Sequence, residues 1–309
     1  MLYDPSKRIN APDKRPILIC DTSAINCLAD DPDSEALIDG LRVGFHPRLT
    51  FTSVGEIIAT TNRDRRESLL RVCKRMLSMG DCMDPQHEII RKMIETFEAN
   101  ATFDWTEVYV RFPAAEQEII RSENFHDELS KQEREQARQH DRAFSHVYEA
   151  AKAPFDRLFA SSSEMPPINF AQFIPHLQVP GGAFWILAAR LCDRVSKTSF
   201  DEATVKRFVG QCEPFRALML ALFAAQYDRC IRPPGVAPSL RSGRNDTFMA
   251  VCLPFCHHFV SDDAGQLACF RAVASIAALD VSIHSYDEFL DAILVSKSVA
   301  MSGASRLIL

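Results

Sequence analysis

Ile17-Leu18-Ile19-Cys20-Asp21-Thr22-Ser23-Ala24-Ile25 opens as a short apolar, β-leaning run, ends that run on a carboxylate, and passes directly into a helix-like pattern. The same junction recurs along the chain. Glu56 follows Leu49-Thr50-Phe51-Thr52, Asp246 follows Arg244-Asn245, and Asp262-Asp263 follow Phe259-Val260-Ser261. In an open parallel sheet the carboxyl ends of the strands converge on one crevice, so junctions of this kind would bring their acids together. Gathered carboxylates repel one another unless a hard divalent cation such as Mg²⁺ neutralises them. Clusters so neutralised serve phosphoryl transfer and phosphodiester hydrolysis.

Working outward, Pro16 to Cys20 reads as a buried strand, followed by helical periodicity from Ser23 to Leu28 and again to Leu41. Leu49 to Thr52 is expected to be a second strand, with helices over Val54 to Thr61 and Arg65 to Met79. The last quarter repeats this grammar. A helix from Asp246 to Leu253 is interrupted at Pro254, a strand spans His258 to Ser261, and a helix spans Gly265 to Leu279. A strand at Val281-Ser282-Ile283 then leads to a closing helix from Ser285 to Val295, where Ser285 and Glu288 have capping-box spacing. Alternating strands and helices argue for an α/β fold with a parallel sheet flanked by helices. The middle differs: it carries almost no strand signal and a long charged helical stretch from Glu116 to Ala150. Loops at 161–167 and 180–182 precede helices over Phe184 to Val195, Asp201 to Val209 (with Ser199 and Glu202 as a capping box) and Pro214 to Tyr227; Arg232-Pro233-Pro234-Gly235 closes the block. The expected organisation is one α/β domain from 1–84 and 242–309, with 85–241 as an inserted all-helical subdomain.

The bulk numbers narrow the function. A 309-residue chain with 47% hydrophobic and 25% charged residues is ordinary for a globular protein. A net charge of −6 gives no whole-surface attraction to nucleic acid, so any such contact needs a local basic patch. Ten cysteines lie scattered without a paired framework, and the polar start Met1-Leu2-Tyr3-Asp4-Pro5-Ser6-Lys7-Arg8 lacks a secretory apolar core. The longest apolar stretch, Ala217 to Ala225, is far short of a membrane span. These features lead us to expect a soluble, cytoplasmic protein with reduced thiols.

Each acid also has a structural explanation, because Asp and Asn cap helices and carboxylates favour first turns. Ser53 and Glu56, for instance, have capping-box spacing. The order of the elements weighs against capping alone, since it puts all these acids on one edge of the sheet. It also carries a family likeness. The segment from Ile17 to Ile25 resembles the opening of PIN domains, an apolar strand running into Asp and then Thr or Ser. Thr52-Ser53-Val54-Gly55-Glu56-Ile57-Ile58 is similar to their second motif and Asn245-Asp246-Thr247-Phe248-Met249-Ala250 to their third. Phe259-Val260-Ser261-Asp262-Asp263 resembles the fourth, and residues 281–290 resemble the last strand and helix. The likeness covers about residues 15 to 80 and 242 to 292. The block between the second and third motifs is much larger than in compact PIN toxins.

PIN domains are metal-dependent ribonucleases. The resemblance therefore implies that Asp21, Glu56, Asp246 and Asp263 are catalytic and hold Mg²⁺ or Mn²⁺, with metal-activated water attacking the phosphodiester. Asp262 is a further metal-ligand candidate beside Asp263; only one of the pair can point straight into a site, and spacing from Ser261 favours Asp263. The resemblance also suggests that Thr22 or Ser23 orients water or binds phosphate, the alternative being a hydroxyl that caps the following helix. Asn245 and Ser261, inside the third and fourth motifs, join the substrate-binding set.

Arg63, Arg65, Arg66, Arg71, Lys74 and Arg75 form the densest basic cluster, and spacings of three and four place some on one helical face. Arg63 and Arg66, with Arg244 and Arg241 ahead of Asp246, are candidates for a phosphate track; the alternative is a solvated face. Cys252, Cys256, His257 and His258 look loosely zinc-like but lack a second ligand pair. His126, His140 and His146 are expected to face solvent, and Trp105 and Trp185 to pack rather than stack on bases. A haloacid-dehalogenase-type phosphatase would need a second Asp two residues after Asp21, where Ser23 stands. The leading expectation is an endoribonuclease acting on RNA, with single-stranded DNA as a second substrate. The alternative is an idle PIN-like scaffold whose helical insertion binds a protein partner; homodimerisation is a further expectation.

Overall fold

The computed structural model describes residues 15–100, 102–111, 127–160, 169–232, 239–240 and 243–291. The leader arm over 1–14, the start of the helix expected from Glu116, His126, the 161–167 and 233–235 loops, Arg241 and the closing helix beyond Asp291 lie outside the described residues.

Five parallel strands form the sheet: β1 (Ile17–Cys20), β2 (His46–Leu49), β3 (Asp81–Cys82), β4 (His258–Val260) and β5 (Ser282–His284). Their order is β3-β2-β1-β4-β5, so β1 lies at the centre, paired with β2 on one side and β4 on the other. Alternation along β1 sends its side chains into two separate cores. Ile17 and Ile19 pack with Phe259, Phe270 and the helices of the middle block, whereas Leu18 and Cys20 pack with Ala24, Ile25, Leu49 and Val260. Ile17, Leu18 and Ile19 have no exposed surface, and each such side chain contributes about 1.5–3 kcal/mol by leaving water.

Helices α1 (Thr22–Asp30), α2 (Ser34–Gly44), α3 (Phe51–Ala59) and α4 (Arg63–Met79) cover the second face. On the first face lie α5 (Gln86–Ala99), α7 (Phe170–Leu177), α8 (Ala183–Asp193), α9 (Glu202–Gln211) and α10 (Glu213–Cys230). The long charged α6 (Asp127–Ala160) runs against α3 and also meets α10. Phe215, Met219 and Phe223 of α10 share one core with β1 and β4, so the expected helical insertion packs directly on the sheet. No single helix among the described residues is long and apolar enough to cross a membrane.

Several expected boundaries shift. The second strand is His46–Leu49 rather than Leu49–Thr52, and α3 begins at Phe51. Thr50 ends the strand by accepting a hydrogen bond from the Ser53 amide at 3.1 Å, a helix N-cap. Ser53 and Glu56 therefore do not form a capping box. Nor do Ser199 and Glu202: Asp201 caps α9 by accepting from Thr204 N at 2.8 Å. Ser285 and Glu288 do form one, with Ser285 N donating to Glu288 Oε2 at 2.7 Å and Glu288 N to Ser285 Oγ at 3.2 Å.

Strand β2 begins earlier than expected because its sheet-buried residues include His46 and Arg48, each paired to Asp81 of β3. Arg48 grips Asp81 with Nε at 2.6 Å and Nη2 at 2.9 Å, and Arg111 adds a third contact at 3.0 Å. Burial works against the Asp81 charge, but His46 and Arg48 outweigh it and hold the carboxyl well below its usual range. Gly80 makes the turn into β3 possible, because a Cβ there would fall 1.6 Å from the Pro47 carbonyl oxygen.

Candidate functional site

Asp21 leaves β1 at the carboxyl edge of the sheet, and its own backbone N still donates to Val260 O at 3.0 Å. It caps α1 by accepting from Ala24 N at 2.8 Å. Two serines hold its side chain: Ser23 Oγ donates at 2.8 Å and Ser261 Oγ at 2.8 Å. Each serine also accepts a backbone N–H from the loop after β4, Asp262 N to Ser23 at 2.6 Å and Asp263 N to Ser261 at 3.0 Å. The first and fourth acidic junctions are thus locked together through hydroxyls. Ser23 and Thr22 do not cap α1; Asp21 does.

Glu56 projects from the second turn of α3, half-buried, and both of its oxygens are engaged. Thr22 Oγ1 donates to Oε2, and Asn245 Nδ2 donates to Oε1 at 2.8 Å. Asn245 in turn accepts from Arg244 Nη1 at 3.0 Å, so a polar chain runs Arg244–Asn245–Glu56–Thr22 across three elements. The Arg244 guanidinium lies over the Phe248 ring at 5.5 Å, where burial lowers its pKa and Asp141 of α6 counteracts this.

Asp246 lies on α11 (Arg244–Met249), a short helix capped by Gly243 that passes into a 3-10 helix at Ala250–Phe255. The helix expected as far as Leu253 therefore changes pitch before Pro254 rather than breaking at it. Asp246 Oδ2 accepts from Gly243 N at 2.8 Å and Oδ1 accepts from Gln266 Nε2 at 3.3 Å. Asp263 caps α12 (Ala264–Ala277), accepting from Gln266 N at 2.7 Å.

The electrostatics place these acids together. Burial, only partly offset by its hydrogen bonds and reinforced by Glu56, pushes the Asp21 pKa up to about 6. Burial followed by repulsion from Glu56, Asp263 and Asp21 pushes Asp246 up to about 6. Asp263 bears on Asp246; Asp262 and Asp263 are both exposed, and Asp262 hydrogen-bonds the Cys27 thiol, whose pKa burial and Asp262 raise to about 11.

Other candidates are dispersed. Arg63 is exposed and pairs with Glu67 at 2.9 Å, one turn along α4. Arg66 is only 2% exposed and ties down Thr60 O at 2.8 Å and Ser130 Oγ at 3.3 Å. Arg65 binds Asp30 and Asn26, and Arg75 binds Glu35 and Asp39. Cys252 and Cys256 are core residues, while His257 Nδ1 accepts from Ile17 N at 2.9 Å. His258 stacks on His284, and burial, then His284 and His257, lowers its pKa to about 4. Trp105 packs edge-on against Phe255, and Trp185 Nε1 donates to Gln178 O at 2.9 Å.

The donors of the cluster are hard oxygens, which suit Mg²⁺ or Mn²⁺, and the raised carboxylates are what an added positive charge would relieve. Among the described residues, no three His, Cys, Asp or Glu side chains converge tightly enough to grip an ion as they stand. The donor chemistry therefore fits, while closure around an ion would need the acids to draw inward. Gln266, uncharged and in the first turn of α12, was missed by the sequence reading; its link to Asp246 depends on how α11 meets α12.

Comparison with models of known protein families, with curated proteins and with solved structures returned no match.

Proposed function

We propose that this chain is a divalent-metal-dependent endoribonuclease with a PIN-like fold and a helical insertion, working in the cytoplasm. One observation carries the reading: Asp21, Glu56, Asp246 and Asp263 gather at the carboxyl edge of a parallel sheet, with Asp21 and Asp246 raised to about 6. Asp21, Glu56, Asp246 and Asp263 would hold Mg²⁺ or Mn²⁺, which supplies charge neutralisation and an activated water. Ser23 and Ser261 fix the Asp21 carboxylate in one orientation. Thr22 and Asn245 fix Glu56, and Asn245 carries the position of Arg244 into the site. Arg244, half-buried beside these acids, is the cation best placed to meet a phosphate of RNA, or of single-stranded DNA as a second substrate. Arg63 pairs along its own helix and Arg66 is engaged internally, so both act as structural groups in this reading.

A second reading is favoured by one feature: both Glu56 oxygens already serve neutral donors, as befits a scaffold whose helical block binds a protein partner or a second copy of the chain. Cleavage of a labelled single-stranded RNA pool with Mn²⁺ or Mg²⁺ separates the two. Asp21→Asn and Asp246→Asn are each expected to lower the rate by more than about 100-fold, beyond the 10–100-fold that losing an outer-shell partner brings. Cleavage that persists in both variants would overturn the nuclease reading. Wild-type protein inert with either metal would favour the scaffold.

A further inference from the structure

Gln266 has no exposed surface, yet one of its polar atoms lacks a partner. Its backbone N donates to Asp263 Oδ1 at 2.7 Å and its Nε2 to Asp246 Oδ1 at 3.3 Å, with Met249 Sδ 4.0 Å from the same nitrogen. Its Oε1 is buried with no hydrogen-bond partner among the described residues. A buried acceptor left without a donor is costly, and the two groups that Nε2 reaches, the Asp246 carboxylate and the Met249 thioether, accept rather than donate. Rotating the amide gives no relief, because it would turn Oε1 toward the Asp246 carboxylate and withdraw the N–H that Asp246 now receives. The amide that carries this acceptor is the one that reaches Asp246, so an occupant of the cluster is the nearest source of a donor.

We infer that Gln266 is the positioning residue of this site, its Nε2 fixing Asp246 while its Oε1 accepts a hydrogen bond from the hydration shell of the divalent cation. This inference rests on the metal-nuclease reading above. A glutamine meets both demands because its amide donates and accepts at once; a carboxylate can only accept and an aliphatic side chain can do neither. Outer-shell groups of this kind orient the ligands and tune the affinity of the ion.

The test is calorimetric titration of the full chain with Mn²⁺ alone, without RNA, alongside thermal melts in chelator. Gln266→Met keeps the bulk and removes both polar functions. It is expected to weaken Mn²⁺ binding by about 10- to 100-fold while the metal-free melting temperature stays level or rises, since the orphaned acceptor is gone. Gln266→Glu keeps the shape and the acceptor but loses the N–H that fixes Asp246, so it is expected to melt lower than wild type in chelator and to recover that deficit when Mn²⁺ is added. Should Gln266→Met fail to fold, Gln266→Glu decides: a melting deficit in chelator that Mn²⁺ leaves unchanged overturns the assignment. Mn²⁺ affinity within about twofold of wild type in Gln266→Met overturns this inference and leaves the metal reading standing. A wild-type chain that takes up no Mn²⁺ overturns both.

Discussion

Asp21 and Asp246 hold carboxyl groups whose pKa values lie near 6, above the 3.8 of a free aspartate. A carboxylate raised on folding stabilises the native state below its unfolded value, and that contribution is lost as pH climbs through the folded value. The window here runs from about pH 4 to about pH 6, and the metal-free protein carries the resulting penalty at neutral pH. Asp246→Asn removes one such charge and keeps an oxygen for the Gly243 amide. Urea unfolding in chelator is expected to show it more stable than wild type at pH 7.5, by on the order of 2 kcal/mol, with the gap closing by pH 4. A constant gap across that range would mean the charge is not the cause. Asp21 and Asp263 were legible in the sequence because they follow the apolar runs of β1 and β4, whereas Glu56 and Asp246 lie inside helices and stood out by their place in the order of elements. The role of Arg66 was legible too, but only by extending the stripe Leu69, Leu70, Cys73, Met76 and Leu77 back one turn, which puts residue 66 on the buried face of α4. Gln266 offered no such signal, since a neutral residue inside a helix gains meaning only from its neighbour across the fold.

At the level of elements, the apolar strands declared themselves and the polar one did not. Strand β2 reads His46-Pro47-Arg48-Leu49, and two of its residues look soluble until Asp81 is placed beside them. The 2-residue β3 is too short to leave a pattern at all. The Arg48–Asp81 pair fills one face of β2 and β3 where β1 carries isoleucines, so removing one partner leaves a buried, uncompensated charge. Asp81→Ala is expected to destabilise the protein by about 3–5 kcal/mol in equilibrium unfolding. A loss under about 1 kcal/mol would mean that Arg48 is not left as an uncompensated buried charge, since an exposed pair is worth no more than that.

Across the whole molecule, the change from alternating strands and helices to a stretch of helices was visible in the sequence as a change in period. That the two share a core was not, because Ile17 and Phe215 are linked only through packing. Replacing 85–241 with a short linker would strip one face of β1 and β4, and the product is expected to be insoluble or unstructured by near-UV circular dichroism. A folded, monomeric product with a cooperative melt would show that the sheet does not need that layer. The strand order carries a separate consequence for biosynthesis. The central strand meets β4 at Leu18 opposite His258, and those residues leave the ribosome 240 positions apart. At about 5–20 residues per second, β1 waits roughly 12–48 seconds for its partner on that side. During that interval a nascent Ile-Leu-Ile-Cys segment has one edge unsatisfied, the condition under which strands pair with the wrong chain. Yield of this protein in a cell is therefore expected to depend on what shelters that edge during translation as much as on the stability of the finished fold.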